Sequence, residues 1–235
     1  MNRRSGFILW CVLCLIWAWG SLSATEMRFD QTQWQTGDLN EQAPIDSNGS
    51  ISSSNIDYFY YYERMPMRMA VIDDSLAAGS SGRQYDSAVL ALVVAQSGAS
   101  GNDSMMLFAR RLTRNWSENG VSWSYFWGSP DSSWATPGGD LNSERCSDTI
   151  MIDAAVPICD TLIMHLDTGF VRFMIETANY GWMVMAANKV DRFPFQLFTE
   201  DCGTPAYRPI LTVYYTESTP SAAGHRRRVV EGGLP

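Results

Sequence analysis

From Tyr58 onward, short apolar runs recur about every ten residues and are separated by glycine, proline, serine, asparagine and aspartate. This pattern predicts strands over 57–62, 65–72, 87–95, 104–112, 148–153, 160–166, 182–187, 194–198 and 208–215. Many short strands with turn signals between them indicate two antiparallel sheets packed face to face. In "RPILTVYY", Ile210, Thr212 and Tyr214 fall on one face while Leu211, Val213 and Tyr215 fall on the other. Both faces are apolar enough to require an interior strand. One stretch breaks the period: in "DTGFVRFMIETANYGW", Phe170, Phe173 and Met174 are at helical spacing. Thr168 is the expected N-cap, and Asn179 and Gly181 the expected stop. The predicted fold class is all-β, an antiparallel β-sandwich (jelly roll) with one short helix.

The ends read differently. Arg3 and Arg4 precede the apolar run Phe7 to Trp19, which passes into "GSLSA". That run is short for a membrane span and is followed by small residues, as in a secretory signal peptide over 1–24, cleaved after Ser23 or Ala24. Residues 25–56 form a polar lead-in with one early strand near Met27 to Phe29, the jelly-roll domain runs over 57–217, and 218–235 is a disordered tail. No later segment is long and apolar enough to span a bilayer, so no membrane span is expected after cleavage, and the mature chain should be secreted or held at the cell surface.

Charge narrows the partners. The formal net charge is −8, and removal of Arg3 and Arg4 with the signal takes it to −10. Phosphate binding needs a basic face, so nucleic acid is not expected as a partner. Lys189 is the only lysine, and arginine, which fills every other cationic position, suits planar recognition of carboxylate or sulfate. Cys146, Cys159 and Cys202 remain after cleavage; the simplest count is one disulfide and one free thiol, with Cys146 and Cys159 the expected pair.

The chemistry concentrates in "NWSENGVSWSYFWGSPDSSWATPGGD", where Trp116, Trp123, Trp127 and Trp134 stand among turn residues. Val121 and Trp123 are expected in a core, and Trp134 in a loop locked by Gly138 and Gly139 at positive φ. Tyr125 and Trp127 lie in a stretch without a core-like period, and an exposed ring can lie flat against the C–H face of a pyranose. Arg110, Arg111 and Arg114 precede this loop and could pair with a uronic acid carboxylate, although strand alternation puts only some of them on its side. Asp140 is a candidate metal ligand, with calcium the candidate ion and Asp148 and Asp153 as further oxygen donors. No cofactor is required by this reading. His165, in an apolar strand, reads as an edge or core histidine, and no nucleophile-elbow, zincin or phosphate-cradle motif occurs.

Taken in order, "RRLTRNWSENGVSW", "WATPGGD", "NYGWMVMA" and "YRPILTVYY" resemble the secreted DNRLRE domain, akin to carbohydrate-binding module family 96 and to the C-terminal region of archaeal disaggregatases. The resemblance covers roughly 58–216. It implies a jelly-roll sandwich acting as a non-catalytic module, with some members binding acidic polysaccharide. The expected function is therefore binding of polysaccharide, an acidic glycan such as a uronate polymer, through Trp127, Tyr125, Arg110, Arg111 and Arg114. The alternatives are a structural domain of a cell-surface or extracellular matrix protein and a polysaccharide-degrading enzyme.

Overall fold

A computed structural model describes residues 24–29, 34–46, 49, 51–56, 62–69, 82–97, 104–128, 132–153, 156–187 and 195–217. All of the expected signal peptide but Ala24, the C-terminal tail and most of the strand expected over 57–62 lie outside the described residues. Among the described residues no helix is long and apolar enough to cross a membrane.

The chain folds as an antiparallel β-sandwich with one helix. The first sheet contains β1 (Thr25–Phe29), β4 (Ser53–Asn55), β6 (Arg83–Ser97), β10 (Thr161–Leu166), β12 (Phe195–Phe198) and β13 (Ile210–Glu217). Its order is β1-β13-β6-β12-β4, with β10 also paired to the long β6. The second sheet contains β2 (Trp34–Thr36), β3 (Leu39–Asn40), β5 (Glu63–Met69), β7 (Ser104–Leu112), β8 (Leu141–Arg145), β9 (Ile150–Asp153) and β11 (Trp182–Ala186). Its order is β2-β5-β11-β7-β8, with β3 on β5 and β9 on β7. From β4 to β7 successive strands alternate between the sheets, which puts most pairings far apart in sequence.

Period-2 alternation assigns the core. Leu90, Leu92 and Val94 of β6 and Leu211, Val213 and Tyr215 of β13 face Met65, Met67 and Met69 of β5, Leu107 and Ala109 of β7, and Trp182 and Val184 of β11. The expected interior strand is β13, which lies between β1 and β6. Its other face, Ile210, Thr212 and Tyr214, is only half-buried.

The second sheet is covered on both faces, because Leu112 of β7 and Met183 of β11 point away from the sandwich into a smaller cluster with Leu39, Trp116, Val121, Trp123 and Trp134. The loop between β7 and β8 forms the lid of that cluster. This explains why "WMVMA" is apolar at successive positions: both faces of β11 are buried.

Three expectations need correction. The lead-in holds the early strand over Met27 to Phe29 and also β2, β3 and β4; these are too short and too polar to show a period. The helix α1 (Thr168–Glu176) is capped by Asp167, whose side chain accepts from Phe170 N at 2.7 Å, so Thr168 is its first residue, and Thr177 closes it ahead of the stop expected at Asn179 and Gly181. The disulfide expected between Cys146 and Cys159 is absent: all three described cysteines are free. Cys146 is buried in the inter-sheet core, whereas Cys159 is exposed in the turn before β10.

Candidate functional site

Strand alternation sends the three expected arginines to three places. Arg111 lies opposite Trp182 in the β7–β11 ladder and so points to the inner side of the second sheet, at the rim of the sandwich where the helix α1 begins. Arg110 points outward, opposite Met183 on β11 and Arg145 on β8. Arg114 lies past the strand, where it pairs with Asp140 at 3.1 Å and covers the Phe126 ring at 4.8 Å.

The rim opens into a cleft of about 350 Å³ lined by Arg111, Asn142, Glu144, Arg145, Cys146, Asp167, Gly169, Phe170 and Phe173. The Arg111 guanidinium carbon sits 4.4 Å from the centre of the Phe173 ring. A guanidinium over a ring face satisfies part of its charge there and still offers N–H donors to a planar acceptor. Asp167 is committed to the helix N-terminus, and Gly169 contributes wall without filling volume. Among the described residues no carboxylate lies within ion-pair distance of Arg111 or Arg145, while Asn142 and Glu144 add polar groups suited to hydroxyls. On the cleft wall, burial pushes the Cys146 thiol up to about 12, so it stays protonated and is a poor nucleophile.

The tryptophan loop is built to hold itself. Trp116 is fully buried and its Nε1 donates to Tyr180 O at 3.0 Å, and Trp134 Nε1 donates to Ser122 O at 3.0 Å. Trp123 is buried against Tyr62, with Arg64 over its ring at 4.9 Å. Gly138 takes φ 84° and Gly139 φ 113°, and Gly138 N donates to Trp123 O, so the "TPGGD" turn is tied to the tryptophan it covers. Trp127 is the exception, 53% exposed at the loop surface. Tyr125 is half-buried and bridges Ser133 through its backbone.

Asp140 is occupied: Oδ1 accepts from Thr136 N at 2.9 Å and Oδ2 faces Arg114. Asp148 Oδ1 accepts from His165 N, and Asp140, Asp148 and Asp153 form no common group. The carboxylates that do gather are Glu118, Glu200 and Asp201, whose oxygens all lie within 4.8 Å of one another. Glu200 is buried and accepts from the backbone N–H (2.6 Å) and the hydroxyl of Thr36. Glu118 is raised to about 7, first by burial, then by its hydrogen bond to Glu200 and by the charges of Glu200 and Asp201; Arg68 opposes the shift. The fold thereby favours the protonated form of Glu118 at the contact between the loop and the sandwich.

Sequence reasoning missed Arg145, Asn142, Glu144, Asp167 and Phe173 as cleft residues. Residues 141–145 carry no apolar alternation, so β8 is not legible as a strand, and without β8 the cleft has no second wall. The chain matches no family model and no curated protein.

Proposed function

We propose that the chain is a secreted, non-catalytic module that binds polysaccharide, with an acidic glycan as its ligand. The observation that carries this reading is the inter-sheet cleft in which Arg111, stacked on Phe173, and Arg145 have no ion-paired carboxylate, although acidic side chains outnumber basic ones, 25 to 17. Two guanidinium groups can take up a uronate carboxylate while Asn142 and Glu144 meet neighbouring hydroxyls, the Glu144 and Asp167 carboxylates of the lining balancing the two cations in the cleft. The ordered motifs resembling the DNRLRE domain point the same way, and the exposed Trp127 offers a separate flat surface for a sugar ring.

Affinity electrophoresis of the mature chain in gels containing alginate, pectin, chondroitin or a neutral glucan, with and without calcium, tests this reading. Retardation confined to acidic glycans supports it. Equal migration in all gels overturns it. Appearance of reducing ends or unsaturated products during incubation would identify a degrading enzyme.

A second reading, a structural domain of a surface or matrix assembly, rests on Met151 of β9 and Ile163 of β10, which are 59% and 46% exposed on strands that, among the described residues, each pair with one other strand, β10 adding a single bridge from Leu166 to Ser147. It predicts self-association in light scattering and no glycan retardation.

A further inference from the structure

Arg110 and Arg145 are directly opposite in the β7–β8 ladder. Like charges in that position destabilise a sheet. Both guanidinium carbons lie over a single ring, that of Phe108, at 5.6 Å and 4.4 Å. Arg64 belongs to the same outer face: it is opposite Met185 on β11, which is in turn opposite Phe108. The proximity of Arg110 contributes to holding the Arg64 guanidinium below its ordinary value, after the larger effect of burial. Arg64 itself rests on Trp123 and Tyr62 and donates to Gly138 O at 2.7 Å.

Among the described residues no carboxylate is ion-paired with Arg64, Arg110 or Arg145. Three neighbouring cations on an acidic chain thus lie on aromatic rings, with Tyr62 and then Glu41 offsetting the effect on Arg64 and the Thr149 hydroxyl accepting from Arg145. Arg145 also lines the inter-sheet cleft, so this row and the cleft meet at β8, an edge strand with no further neighbour among the described residues.

We infer that the row Arg145, Arg110, Arg64 is a second anionic subsite continuous with the cleft, so that the ligand is an extended polyanionic glycan passing over β8 and not a single terminal acidic sugar. This rests on the proposed glycan-binding function and assigns to the outer row the contacts with further acidic sugars of the chain. Arg145 serves both subsites, Arg111 only the cleft and Arg110 only the outer row.

The test is titration of the full mature chain with alginate oligosaccharides of two lengths, a disaccharide and a long oligomer, using wild type, Arg110→Gln, Arg110→Lys and Arg111→Gln. Wild type should bind the long oligomer more tightly than the disaccharide. Arg110→Gln should lose about tenfold on the long oligomer and less than about twofold on the disaccharide, with Arg110→Lys recovering most of the loss because the charge remains. Arg111→Gln should weaken both lengths. If Arg110→Gln binds the long oligomer as wild type does while Arg111→Gln loses both, the outer subsite is refuted and the cleft reading stands. Equal loss on both lengths in Arg110→Gln would likewise refute it, since the residue would then act through the fold. If wild type binds neither length, the subsite is refuted as a uronate site, and the glycan-binding function is then decided by the electrophoresis in pectin and chondroitin.

Discussion

The inter-sheet cleft and the tryptophan loop lie on opposite sides of the second sheet and start from neighbouring residues, Arg111 and Leu112. In the loop nearly every polar group is used internally: Trp116 and Trp134 donate to backbone carbonyls, and Arg114 and Asp140 neutralise each other. In the cleft, Arg111 and Arg145 have no ion-paired carboxylate among the described residues. A cluster of conspicuous aromatics can therefore be used up within the fold while a plain strand next to it leaves guanidinium groups without a paired carboxylate. The distinction follows from whether polar groups find partners within the fold.

The largest expected effect breaks the loop. Trp116→Ala removes a fully buried ring and its hydrogen bond, and should cost about 3–5 kcal/mol of stability in denaturant unfolding. Below the unfolding transition, glycan affinity of the remaining folded protein should change little.

A second change sharpens the contrast through pH. Glu118 is held at about 7 in the fold against an ordinary 4.5, so the fold favours its protonated form. The resulting stabilisation is fully present below about 4.5 and is lost as the pH rises through about 7. Glu118→Gln, which keeps the hydrogen-bonding capacity without the charge, should flatten the fall in melting temperature between pH 5 and 8 and leave the variant more stable than wild type at pH 8. An unchanged pH profile would contradict the upward shift of Glu118.

The smallest effect belongs to the exposed tryptophan. Trp127→Ala should alter stability by no more than about 0.5 kcal/mol in the same unfolding experiment, because its ring is half in solvent. Its effect on affinity reports whether the loop adds a sugar contact to the cleft.

These regions were unequally legible in the sequence. The long strands β6, β7, β10 and β13 announce themselves through runs of apolar residues, and Thr168 with Asn179 and Gly181 marks the neighbourhood of the helix ends, although the cap is Asp167 and the close is Thr177. The burial of Val121 and Trp123 and the positive φ at Gly138 and Gly139 were readable from "VSW" and "TPGGD". The short early strands were not, since β2 and β4 are only three residues long and have no periodicity. The division of the arginines was half legible: alternation separates Arg110 from Arg111, but the groups they meet on β8, β11 and the helix α1 lie 35 or more positions away along the chain. The Glu118, Glu200 and Asp201 cluster brings together residues from two remote loops and leaves no local trace.

The central claim is that Arg111, on the cleft side of its strand, is the residue that takes the acidic ligand, and that the tryptophan loop is scaffold. The most direct measurement is calorimetric titration of an acidic oligosaccharide into wild type, Arg111→Gln and Trp127→Ala, all with melting temperatures matched to within a few degrees. The account predicts at least about a tenfold loss of affinity for Arg111→Gln and a much smaller one for Trp127→Ala. Wild-type affinity in Arg111→Gln, with binding abolished by Trp127→Ala, would contradict it and move the site to the loop.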